Sequence, residues 1–83
     1  MVSLLNFGSI DAAAHTGNWD GYTRQIQVAD SCVALIWQRI QIDPVFGGRT
    51  DLIVTGDHGR HSDGYGNWFE HGDGCPGCRR IPL

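Results

Sequence analysis

The chain reads as an α/β piece in the order strand, helix, strand. Three observations predict this. A short apolar run, Ser3-Leu4-Leu5-Asn6-Phe7, is closed by Gly8. Between Asn18 and Ile42 the apolar residues recur every three or four positions. A second β-rich run, Asp51-Leu52-Ile53-Val54-Thr55, ends on Gly56. Two strands joined by a helical crossover are expected to lie parallel in one sheet, with a right-handed connection.

Each element has its own justification. The run at 3–7 does not alternate cleanly between apolar and polar residues, as expected of a strand covered on both faces. In the middle segment Tyr22, Ile26, Ala29, Val33, Ile36 and Ile40 fall on one helical face. Asn18 or Asp20 supplies the N-cap, and Asp20 also suits the positive end of the helix dipole. Pro44 stops the helix, and Phe46-Gly47-Gly48 makes a turn. The second strand follows. Residues 57–78 then change texture: they are rich in glycine, hold three of the four histidines and two of the three cysteines, and show no period. A loop this long is expected to be functional or held by ligands. Arg80-Ile81-Pro82-Leu83 reads as the start of a further strand. The chain is thus expected to be one partial domain, residues 1–83, truncated at both ends.

Composition narrows the function classes. Eighty-three residues allow one small domain, and a chain of that size is marginal without a metal, a disulfide or a partner. The six basic residues are all Arg, and eight Asp and one Glu bring the net charge to -3, so there is no basic footprint for nucleic acid. No apolar run is long enough to span a membrane. Neither a nucleic-acid nor a membrane partner is expected.

The chemistry gathers after the two expected strands. Asp11 and His15 follow the first, and Asp57 and His58 follow the second. At the carboxyl ends of neighbouring parallel strands they would share the edge where α/β proteins place ligands. His71, from the long loop, makes a fifth nitrogen or oxygen donor. Imidazole with carboxylate suits zinc, and manganese or iron less exclusively. Five donors exceed one tetrahedral ion, which points to a two-metal cluster. Each piece also has a plain reading: Asp11 as a turn cap, His15 and His71 as surface residues, Asp57-His58-Gly59 as a turn. His61 and Asp63 are spare donors in the same loop, read as structural.

Asp11-x-x-x-His15, then Asn18-Trp19-Asp20 and a helix, then Leu52-Ile53-Val54-Thr55-Gly56-Asp57-His58-Gly59-Arg60, and finally His71-Gly72, resemble the alkaline phosphatase superfamily of metallohydrolases. That group includes phosphatases, nucleotide phosphodiesterases, phosphomutases and sulfatases. The resemblance implies a C-terminal fragment of a parallel-sheet, alkaline-phosphatase-like catalytic domain. It also implies that Asp11, His15 and His71 hold one divalent metal and that Asp57 and His58 hold a second, with zinc first and manganese second. Three histidine ligands resemble the two-metal phosphatase and phosphodiesterase branches more than the sulfatases. The implied activity is hydrolysis of a small phosphate mono- or diester. The Ser or Thr nucleophile of such enzymes belongs upstream, and none of Ser3, Ser9, Thr16, Ser31, Thr50 or Ser62 has its context. The fragment is therefore expected to be inactive alone, and exposed sheet edges are expected to favour self-association. Relatives occur both in the cytosol and outside it, so localisation stays open.

Cys75-Pro76-Gly77-Cys78 has three readings: a disulfide, a pair of zinc ligands, or a reduced structural pair. A structural role in shaping the His71 loop is favoured. Cys32, near the apolar helix face, reads as a buried core thiol. Trp19, Trp37 and Trp68 read as core aromatics. The competing function is a small non-enzymatic zinc-binding module using Cys75, Cys78, His71 and one more ligand. The sulfatase and phosphomutase branches of the same superfamily are the nearer alternatives.

Overall fold

A computed structural model describes residues 1–61, 66–72 and 74–83. Two helices form, α1 at Ser9–His15 and α2 at Trp19–Ile42, packed against each other. No strand or sheet occurs among the described residues, so the expected parallel β-α-β unit is not formed. The reason lies in how strands are stabilised. A strand needs a ladder partner and a covered face, and a lone apolar run supplies neither. Residues 3–7 and 51–55 pair with nothing as strands, and their apolar side chains stand in solvent, with Leu4 94% and Ile53 76% exposed. Sheet edges are likewise absent among the described residues.

The first segment differs in a second way. Asp11 and His15 lie in α1, not in a loop after a strand. Gly8 begins that helix without a side-chain cap. Its end is closed by Thr16, whose Oγ1 donates to Ala13 O at 2.6 Å. Gly17 then takes a positive φ of 74° and donates its N–H to Ala14 O at 2.9 Å. That left-handed residue reverses the chain into α2.

The long helix follows its pattern closely. Asn18 is the N-cap, accepting from the Gly21 N–H at 3.1 Å. The helix ends at Asp43, just before Pro44. Asp43 Oδ1 accepts from Val45 N at 2.8 Å and Phe46 N at 3.0 Å, closing the end as an Asx turn. Gly47 is required in the turn that follows, because a Cβ there would sit 2.6 Å from Gln41 O and 2.8 Å from Asp43 O.

Little core results. Ala14, Cys75 and Cys78 are the buried apolar residues described, and α2 buries none of its own side chains fully. Tyr22, Ala29, Cys32, Val33, Ile36 and Ile40 are half-buried along the expected stripe, whereas Ile26 is exposed. Cys32 is thus at the margin of the packed face and not in a core. The Cα radius of gyration is 15.5 Å, against about 12 Å for a compact chain of this length. The elongation, 50 × 25 × 15 Å, comes from a 24-residue helix with no sheet laid against it.

Candidate metal centre

The two helices and the loop after residue 56 meet at Asp11. Its carboxylate sits one turn before His15 on the same face of α1, with His15 Nε2 3.4 Å from Oδ2. From the loop, His71 Nε2 lies 3.4 Å and His58 Nε2 3.6 Å from Oδ1. The His58 and His71 rings stack with centroids 3.7 Å apart and planes 23° from parallel. His15 and His71 follow at 5.2 Å. Three imidazoles therefore present Nε2 to one carboxylate. Asp57 stands at the rim: its side chain is 92% exposed and its Oδ1 lies 3.7 Å from His58 Nε2. All five residues named from the sequence thus occupy one neighbourhood, with Asp57 the least engaged. His61 lies behind the site, and Asp63 lies outside the described residues.

Arg60 joins the same cluster, although its residue type is not that of a metal ligand. Its guanidinium donates to Asp11 Oδ1 in a close ion pair, to Asp11 O at 3.4 Å, and to Phe69 O at 3.1 Å. It also lies over the Tyr22 ring, 5.8 Å from the centroid. The signal available in the sequence is its place directly after Asp57-His58-Gly59. Trp19, Tyr22, Trp68 and Phe69 form the aromatic wall beside it, with Trp19 and Trp68 edge to face at 5.0 Å. Trp37 lies elsewhere, lining a shallow groove on α2 with Leu52.

The electrostatics set the protonation states. Burial pushes the Asp11 carboxyl up, but the Arg60 hydrogen bond and charge, with His15 and His71, outweigh it and hold the pKa below its ordinary value. Burial, the facing His58 and the nearby Arg60 push His71 down against the pull of Asp11. Asp11 is thus an anion and His71 a neutral imidazole near pH 7, the ligand form of each. His58 Nδ1 lies 2.8 Å from Gly59 O. A carbonyl only accepts, so Nδ1 carries a proton, and in the neutral ring Nε2, facing Asp11, is the atom left to ligate.

These donors fit a divalent cation. One donor atom each from Asp11, His15 and His71 lies within 4.8 Å of the others. The fixed His58 tautomer adds a lone pair on the same side. The Cys75–Cys78 turn backs the site from below: Gly59 N–H donates to Cys78 O at 2.7 Å, and a Cβ on Gly59 would collide with Gly77 O. The pair shapes the loop as thiols, not as a disulfide.

Comparison with known proteins identifies a family. Residues 1–68 match the Metalloenzyme superfamily. The 2,3-bisphosphoglycerate-independent phosphoglycerate mutases of Legionella pneumophila strains Lens and Paris are each 33% identical over 58 residues, covering 70% of this chain and 10% of theirs. The enzyme of the same name from Nitrosococcus oceani is 29% identical over 69 residues, covering 83% of this chain and 12% of its own. The chain therefore spans about a tenth of the length of these curated relatives. No solved structure matches it. By the match over most of its length, the chain belongs to the Metalloenzyme superfamily, the alkaline-phosphatase-like enzymes.

Proposed function

We propose that these residues supply the metal-ligating part of an enzyme acting on small phosphate esters. Membership of the superfamily implies divalent metal use. The observation that carries the reading is the convergence of His15, His58 and His71 on the Asp11 carboxylate, at 3.4, 3.6 and 3.4 Å. In this reading Asp11, His15 and His71 hold one ion and Asp57 with His58 a second, zinc first and manganese second. When bound, such ions polarise phosphoryl oxygens and offset charge on the leaving oxygen. The chain's own residues do the rest of what is assigned here. Asp11 supplies the anionic ligand, Arg60 orients it, and the Gly59 carbonyl holds His58 in the ligating tautomer. The nucleophile sits on another segment of the catalytic domain, of which residues 1–83 are one part.

Two reaction types compete on that frame: hydrolysis of a phosphate mono- or diester, and phosphoryl transfer within one substrate. The similarity to phosphoglycerate mutases favours the mutase reaction. Hydrolysis is the reading of the ligand set alone.

Calorimetric titration with Mn²⁺, which prefers oxygen and nitrogen donors, tests the ligand assignment. His71→Ala removes the tighter binding phase, and His58→Ala only the weaker one. Equal loss of one phase in both variants would place all the ligands on a single ion. No loss in either would leave the cluster without a metal role.

A further inference from the structure

The second cluster of donors lies under the first and none of its members is assigned to the Asp11 site. One donor atom each from His61, Cys75 and Cys78 lies within 4.8 Å of the others. We infer that these three residues form a separate zinc site, which staples residues 58–61 to the Cys75–Cys78 turn.

Four observations carry it. Bond lengths of roughly 2.0–2.3 Å put donors on a tetrahedral zinc about 3.6–3.8 Å apart, so the three atoms need to close by about 1 Å or less. His61 Nδ1 is buried and has no hydrogen-bond partner among the described residues. Such an atom is costly to leave unsatisfied, and a metal ion would satisfy it. Cys75 and Cys78 are two of the three buried apolar residues described in a chain with almost no core. Finally, the Cys-Pro-Gly-Cys turn is already wound for ligation. Cys78 N–H points at Cys75 Sγ at 3.3 Å while also donating to Cys75 O at 3.1 Å. Arg79 and Arg80 N–H continue the same winding, donating to Pro76 O and Gly77 O, each at 3.3 Å. An N–H aimed at sulfur stabilises the thiolate that a metal binds.

Donor chemistry selects the ion. Two thiolates and an imidazole form a soft set that favours zinc over the harder manganese or magnesium. Three protein donors leave one tetrahedral position for water or a further donor. Binding releases the thiol protons, because the thiolate is the ligand.

The arrangement has a consequence for the Asp11 cluster. His61 N–H donates to Glu70 O at 3.1 Å, next to His71. Cys75 Sγ lies 3.9 Å from Arg60 O, and Gly59 N–H binds Cys78 O. The zinc would therefore fix the backbone on both sides of His58 and Arg60 and anchor the loop that delivers His71.

The test uses the reduced chain. Co²⁺ replaces zinc and gives a thiolate-to-cobalt charge-transfer band. Cys78→Ser abolishes the band, and His61→Gln weakens Co²⁺ affinity by at least the roughly 10–100-fold that losing a supporting partner costs. Cys32→Ser leaves both band and affinity unchanged. Thiol modification of the unaltered chain is the second measurement, independent of variant folding. Excess Zn²⁺ slows two of the three thiols at least tenfold, on the order of the same loss, and leaves Cys32 at its original rate. Equal rates for all three thiols with and without Zn²⁺ would overturn the site. Undiminished Co²⁺ affinity in His61→Gln would overturn the part played by His61.

Discussion

Gly59→Ala should disable the metal centre without touching a ligand. A Cβ at position 59 would sit 2.6 Å from Arg80 O and closer still to Gly77 O. Both obstacles are backbone carbonyls in a wound turn, so no side chain can swing aside. Overpacking of this kind costs about 1–3 kcal/mol. Separating the segments also breaks the 2.7 Å bond from Gly59 N–H to Cys78 O, worth a further 0.5–1.5 kcal/mol or so. The strain belongs to the closed arrangement, in which His58 and Arg60 face Asp11, and not to an opened one. A penalty of roughly 1.5–4.5 kcal/mol on the ligated state alone lowers affinity about 10- to 2,000-fold. Competition with a chromophoric chelator near neutral pH measures it. Gly72→Ala is the control: it adjoins His71, has nothing within 4 Å of its added Cβ, and should leave affinity unchanged. Unchanged affinity in Gly59→Ala, or an equal loss in Gly72→Ala, would refute the steric argument.

Other predictions follow from the same contacts. Asn18→Ala removes the α2 cap and should cost about 1 kcal/mol, read as lost helicity by circular dichroism against an Asn67→Ala control. Arg60→Gln should raise the Asp11 pKa, since burial already pushes it up and the opposing guanidinium is gone; carboxyl NMR titration reports the shift. Stability should fall on acidification in two stages. His71 has a lowered folded pKa, so below about pH 6.5 the unfolded chain takes a proton that the folded one resists. Asp11 is also lowered, so its contribution is present above its unfolded value near 3.8 and disappears as pH falls through the folded one. A melting temperature that rises on acidification from pH 7 to 5 would contradict the His71 sign, and one that rises below about pH 4 would contradict the Asp11 sign.

The sequence made the long helix plain and concealed the rest for physical reasons. Asn18, the three-and-four spacing and Pro44 act within a few residues of one another, so α2 and its ends can be read locally. The runs at 3–7 and 51–55 have strand composition, but a strand is a property of its neighbours, and the described residues provide no ladder for either. Asp11-x-x-x-His15 has the one-turn spacing of a helix, but it spans too few residues to show a period, so α1 is not legible from the sequence. The gathering of Asp11, His15, His58 and His71 was legible as a ligand pattern even though the expected sheet edge is absent. Arg60 and His61 were not legible as participants. Their roles depend on Asp11, 49 residues away for Arg60, and on the Cys75–Cys78 turn for His61. Among the described residues, eighteen large apolar side chains remain exposed, Leu35 and Ile53 among them.

Paramagnetic relaxation by Mn²⁺ tests the central claim most directly, because a hard cation favours the Asp11 cluster over the thiols. Substoichiometric Mn²⁺ should broaden the imidazole resonances of His15, His58 and His71 first, while His61 and the α2 residues Asp30 and Arg39 stay sharp. Asp11→Asn should require a much higher Mn²⁺ concentration for the same broadening. Broadening spread evenly over the exposed aspartates, or unchanged in Asp11→Asn, would contradict a metal centre built on Asp11.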